Sequence, residues 1–318
     1  ACAANGGARG AESVIDGNSV DAAVVILVDN VTLDGFKIIH GVNGSYNAGV
    51  WMSSAAKNLT IKNNIVTDNT IGIYANCSDA SLIDCNLIAA NNLPGPAGGS
   101  GIYSENTVKL TVQKNEFTGH TGNNPVIFGA TAAGVHQNLQ FKNNNVHDTY
   151  GVYTISITTG TFSGNTITTA HTVTDPDGVT GLAFTGACTN VAVTDNVITN
   201  NKRGVRVEDD GYGYGANSAI TITHNDLVND VQYGVGVVSG YSGPGQLDAT
   251  CNWWGNVSGP NEPVLNPAGT GSPVTGTTNF HPWLNGSITG TPACTGTIGG
   301  ASVTVVFPNG GEYFIIGS

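Results

Sequence analysis

Nine consecutive residues, Lys202-Arg203-Gly204-Val205-Arg206-Val207-Glu208-Asp209-Asp210, gather three of the chain's ten basic residues and three of its acids. Cations beside carboxylates can move protons, and the neighbours Asp209 and Asp210 have the composition of the paired acids that cleave glycosidic bonds. Lys202, Arg206, Asp209 and Asp210 are thus the catalytic candidates. Alternation along a strand would put Val205 and Val207 inside and Arg206 and Glu208 outside, so a solvated surface ion pair explains the same residues. The turn Asp175-Pro176-Asp177-Gly178 offers carboxylates and carbonyls that suit Ca²⁺, which makes Asp175 and Asp177 the metal candidates. The same composition also makes an ordinary tight turn. The seven His residues include no pair at i, i+2 or i, i+4, the spacings that favour a metal.

A second constellation is spread over the whole chain. Segments that open with Gly and an apolar residue recur as Gly49-Val50-Trp51, Gly72-Ile73-Tyr74, Gly101-Ile102-Tyr103, Gly151-Val152-Tyr153 and Gly204-Val205-Arg206. If the middle residue faces a core, the third faces solvent, and Trp51, Tyr74, Tyr103, Tyr153 and Arg206 form one outer column. Flat rings with polar tips suit sugar rings, so these five are the carbohydrate-binding candidates. The plainer account is that aromatic residues suit strands and stack on one another. The column lacks an aromatic residue between Tyr103 and Tyr153.

The elements that carry these residues must be short strands. Gly (45 residues), Asn, Thr, Val and Ile dominate, and charged residues are 10% of the chain. An apolar residue is followed three positions later by Asn again and again, which yields Asn64, Asn86, Asn115, Asn144, Asn165, Asn196, Asn225 and Asn252 at intervals of 22, 29, 29, 21, 31, 29 and 27 residues. Such a unit cannot bury its own apolar face, so units stack as a solenoid. The reading is all-β: a right-handed parallel β-helix of nine or ten coils, with Asn at the same corner of each coil. There the Asn would tolerate a left-handed backbone and bond its amide to the next Asn, about 4.8 Å away. The stretches 91–99 and 172–178 would protrude as corner loops.

Over roughly residues 12–285 the repeats resemble right-handed parallel β-helix proteins of the pectate-lyase-like superfamily. The most specific part is Asp248-Ala249-Thr250-Cys251-Asn252-Trp253-Trp254-Gly255, then Ser258-Gly259-Pro260 and Phe280-His281-Pro282-Trp283-Leu284. This is similar to the closing segment of many secreted β-helix surface proteins, and Trp253-Trp254 and Pro282-Trp283 would cover that end of the helix. Phe307-Pro308-Asn309-Gly310-Gly311-Glu312-Tyr313 resembles the first strand of an immunoglobulin-like module. The expected organisation is a β-helix over 1–285, closing from 248, and then a linker and that strand over 286–318. A start without Met or a secretory segment reads as a processed chain or a fragment.

The resemblance also implies chemistry. A lyase of this superfamily uses Lys or Arg to take the proton beside a uronate carboxylate, often with Ca²⁺, whereas a polygalacturonase-like site would resemble Asn-x-Asp followed by Asp-Asp and later Gly-His-Gly and Arg-x-Lys. Of that set only Asp209-Asp210 is present. Six cysteines fit an exported protein: Cys77 and Cys85 flank one turn and are the expected bridge, and Cys251 and Cys294 would tie the closing segment, leaving Cys2 and Cys188 unplaced. The alternative is that several are buried thiols. Sequons begin at Asn30, Asn43, Asn58, Asn76, Asn256 and Asn285.

Charge narrows the partners. A net charge of −12 opposes nucleic acid and anionic membrane, and no run of 18 apolar residues is present to span a bilayer. The function expected is a rigid extracellular or cell-surface protein that touches polysaccharide through the aromatic column. A lyase or hydrolase, and a self-associating sheath or filament subunit, are the alternatives.

Overall fold

Each coil is three short strands joined at three corners, and the corners set the register of everything else. The computed structural model describes residues 2, 12–42, 46–77, 79–129, 135–169, 179–209, 211 and 213–298. The candidates Asp175, Asp177 and Asp210, the 172–178 loop, the Asn43 sequon and the 307–313 segment lie outside them. Among the described residues three parallel sheets hold nine, ten and ten strands. The first runs from Ser13–Asp16 to Asp226–Val228, the second from Val24–Ile26 to Val274–Thr275, and the third from Thr32–Asp34 to Thr278–Asn279. The architecture is a parallel β-helix, and ten strands about 4.8 Å apart make a rod roughly 45 Å long.

The repeated Asn occupies the corner between the third and first sheets. The amide N–H and side-chain Nδ2 of Asn64 both donate to Asn86 Oδ1, at 2.9 and 3.1 Å. The same pair of bonds links Asn86 to Asn115, and so on to Asn225 and Asn252 at 2.9 and 3.0 Å. One expectation is corrected. The left-handed residue is the one before the ladder Asn: Asn63, Cys85, Lys114, Asn143, Gly164, Asp195, His224 and Cys251 all have positive φ. That residue makes the turn, which leaves the Asn free to point inward.

Strand alternation then assigns the core. Ile61, Ile83, Val112, Phe141, Phe162, Val193 and Ile222 line up along the third sheet, and Val66, Ile88, Phe117, Val146, Ile167, Ile198 and Leu227 along the first; all are buried. The widest side chains stack mid-rod, with Phe141 centred 6.1 Å from Phe117 and 5.9 Å from Phe162.

At the C-terminal end Trp254 is fully buried, and Phe280, Trp283 and Leu284 nearly so. Trp254 lies beneath Gly234 of the preceding strand, and the Trp283 ring donates its N–H to Val257 O at 3.1 Å. Cys251 is bonded to Cys294. The other bridge differs from the expectation: Cys85 pairs with Cys2, while Cys77 and Cys188 are buried free thiols. Cys85 is the turn-making residue of its corner and Cys77 faces the core, so proximity along the chain does not bring their sulfurs together. Two disulfides fit an oxidising compartment. Among the described residues no helix is long and apolar enough to cross a membrane.

Candidate functional site

The five residues of the aromatic column belong to the second sheet, where pairing places Trp51 beside Tyr74, Tyr74 beside Tyr103, Tyr103 beside Ile127 and Ile127 beside Tyr153. Ala183 and then Arg206 continue the same row. The inward neighbours Val50, Ile73, Ile102, Val126, Val152, Leu182 and Val205 are fully buried, and the column residues named as binding candidates are half-buried on the outer face.

The upper part of the column packs on itself. Ring centroids are 4.4 Å apart for Tyr46 and Trp51, 6.2 Å for Trp51 and Tyr74, and 5.5 Å for Tyr74 and Tyr103. Tyr103 donates its hydroxyl to Glu105 Oε1 at 3.3 Å, and Asn76 Oδ1 accepts the Glu105 amide N–H at 2.8 Å. Burial first, then the Glu105 charge, pushes the Tyr74 hydroxyl up to about 12 and the Tyr103 hydroxyl well above its ordinary value. Both phenols therefore stay neutral.

The break in the column is where open space appears. Ile127 and Ile155 floor a cleft of about 480 Å³ whose remaining lining is Tyr103, Tyr153, Tyr214, Asn123, Asn124 and Gly129. Ile127 replaces a ring with a shorter side chain, and Gly129 (φ 100°) lets the chain pass where a Cβ would sit 2.4 Å from Ile155 O. Tyr214 comes from the segment after the strand Arg203–Val207, held by a bond from Ala187 N to Gly215 O at 2.8 Å. Asn124 is fixed by its Nδ2 bond to Gly151 O at 2.9 Å. An apolar floor, aromatic walls and a few amides are the usual make-up of a small-ligand site of this size.

The charged segment assembles differently. Val205 and Val207 are buried as alternation requires, but Glu208 is also nearly buried, since the strand ends at Val207 and the Glu208 carbonyl accepts Asn217 Nδ2 at 2.7 Å. The Arg206 guanidinium is bonded to the Glu208 carboxylate, with side chains only 20% and 10% exposed, so it is a partly buried pair and not the solvated one that alternation suggests. Arg203 donates Nε to Gln232 Oε1 at 2.8 Å. Asp209 accepts Gly211 N at 3.1 Å, and Lys202 stands just before the strand with its carbonyl bonded to Gln232 N. Among the described residues of the run, only Arg206 stands in the aromatic row, two strands beyond Tyr153.

A feature missed at the level of sequence lies at the corner between the first and second sheets. Asn69, Asn91, His120, Thr149, Asn201 and Asp230, each five residues after a ladder Asn, are all buried there, and Thr169 stands in the same file. Asn69 N and Nδ2 donate to Asn91 Oδ1 at 3.2 and 2.9 Å, and Asn201 N and Nδ2 donate to Asp230 Oδ1, both at 3.0 Å. This second ladder and the backbone of the next coil together account for the recurring glycine, which at Gly151 faces Thr180 O and Gly181 O. A Cβ on Gly72 would meet Asn91 Nδ2 at 2.8 Å, and one on Gly204 would meet Asp230 Oδ2 at 2.5 Å. Asn91 is therefore a buried rung, although the residues after it do protrude. The signal was the constant offset of five, obscured because the rung changes type.

Residues 76–252 match the family described as the right handed beta helix region. The chain belongs to this family. Handedness, which pairing alone leaves open, follows from that membership. A solved structure similar to this β-helix protein is an alginate lyase from Paenibacillus sp. str. FPU-7, at 14% identity and a TM-score of 0.48, covering 84% of this chain and 80% of that one. No curated protein matches the sequence.

Proposed function

We propose that this β-helix protein is a rigid, noncatalytic polysaccharide-binding rod that works outside the cell and holds its glycan in the Tyr103–Tyr153 cleft. The observation that carries the reading is the coincidence of the break in the aromatic column with a cleft of about 480 Å³ walled by three tyrosines. Apolar ring faces bind against an isoleucine floor and aromatic walls, and hydroxyls find the Asn123 and Asn124 amides and the phenols. The rod supplies rigidity because, among the described residues, the three sheets and the ladder from Asn64 to Asn252 bond coil to coil, so the walls are placed before a ligand arrives. The extracellular setting is supported by the two disulfides.

Affinity electrophoresis against a panel of soluble polysaccharides tests the reading. At least one glycan should retard the protein, and Tyr153→Ala should weaken that binding about tenfold, the equivalent of about 1.4 kcal/mol. Turnover of any bound polymer would replace the noncatalytic reading with an enzymatic one.

A further inference from the structure

We infer that the cleft selects uncharged glycans and discriminates against uronate polymers, an inference that rests on the reading of the cleft as a polysaccharide site. The side chains that line it are tyrosines, isoleucines and asparagines, with a glycine completing the wall. Among the described lining residues none carries a charge at neutral pH, since the lining consists of phenols, aliphatic side chains, amides and a glycine. The wall itself is tied to a carboxylate, Glu105, which accepts the Tyr103 hydroxyl.

A uronate needs a cation, and three that this sheet and its adjoining turns carry have partners elsewhere. Arg206 is bonded to Glu208, Arg203 to Gln232, and Lys109 to Asp79 at 3.2 Å. Freeing Arg206 would strand Glu208, a nearly buried carboxylate, without its partner. The chain as a whole carries −12, so long-range steering also opposes an acidic polymer. A neutral sugar meets none of these penalties. Its hydroxyls can donate to amide oxygens and to Glu105, and its ring face lies against Ile127 and Ile155.

The test is affinity electrophoresis of the whole chain at low ionic strength against neutral polymers (xyloglucan, galactomannan, mixed-linkage β-glucan) and uronate polymers (alginate, polygalacturonate). The expected result is retardation by at least one neutral polymer, with binding to both uronates at least tenfold weaker. Glu105→Gln should narrow that gap by removing the repelling charge, and circular dichroism of each variant reports whether it is folded. Uronate binding equal to or tighter than neutral binding would overturn the selectivity while leaving the site in place. Binding that survives Tyr153→Ala, or no binding to any polymer, would overturn the site itself.

Discussion

Replacing Asp230 by Asn should make the protein more stable at neutral pH, an unusual outcome for a change at a fully buried position. In the second ladder each Asn rung uses its Nδ2 to donate to a carbonyl of an earlier coil: Asn69 to Ile38 O at 3.2 Å, Asn91 to Val66 O at 3.0 Å, Asn201 to Ile167 O at 3.4 Å. Asp230 accepts both Asn201 donors on Oδ1, and its amide N–H donates to Ser272 Oγ at 3.1 Å, but its Oδ2 has no hydrogen-bond partner. Burial pushes the carboxyl well above the usual carboxylate range, against the lowering effect of the Asn201 bonds. The sign follows from linkage. The folded form keeps a proton that the unfolded chain releases above about pH 4, so stability falls as pH rises past that point, by up to about 1.4 kcal/mol per unit, until the folded group also ionises. Asn at 230 removes this slope and makes the missing bond, a gain of at least about 1 kcal/mol at pH 7. Urea unfolding followed by near-ultraviolet circular dichroism, at pH 4.5 and pH 8 for both proteins, measures it. A variant no more stable at pH 8, or a difference between the two proteins that does not grow with pH, would refute the reasoning.

Two further expectations rest on other buried groups. Burial lowers His120 to about 3, so the folded protein keeps this rung neutral while the unfolded chain takes up a proton below about pH 6.5; stability should fall on acidification from that point, and His120→Asn should flatten the fall in melts between pH 7 and pH 4. Cys77 and Cys188 are buried and pushed up to about 11 by that burial, so a thiol reagent should label no cysteine of the native, unreduced protein and two after denaturation.

How far the residues speak for themselves depends on whether their consequence is local. The period of the corner Asn, the inward Val, Ile and Phe columns and the outer register of Trp51, Tyr74, Tyr103 and Tyr153 were legible because strand alternation and a fixed turn carry over from coil to coil. The left-handed position was misplaced by one residue, since the pattern marks the corner but not which of its two members turns. The bridge of Cys85 to Cys2, across 83 residues, was not legible either, because it depends on which way a corner residue points.

The amino-acid sequence by itself determined the solenoid, its coil count and the faces of its strands, for a repeat that cannot bury its apolar side alone leaves stacking as the one solution. Only the tertiary structure decided the rest. Arg206 is bound to Glu208, Tyr214 reaches the wall of a cleft around Ile127, and a second ladder of changing residue types runs beneath the recurring glycines. Each of these depends on distances between coils, and a pattern along the chain records spacing but not which side chains come to face one another.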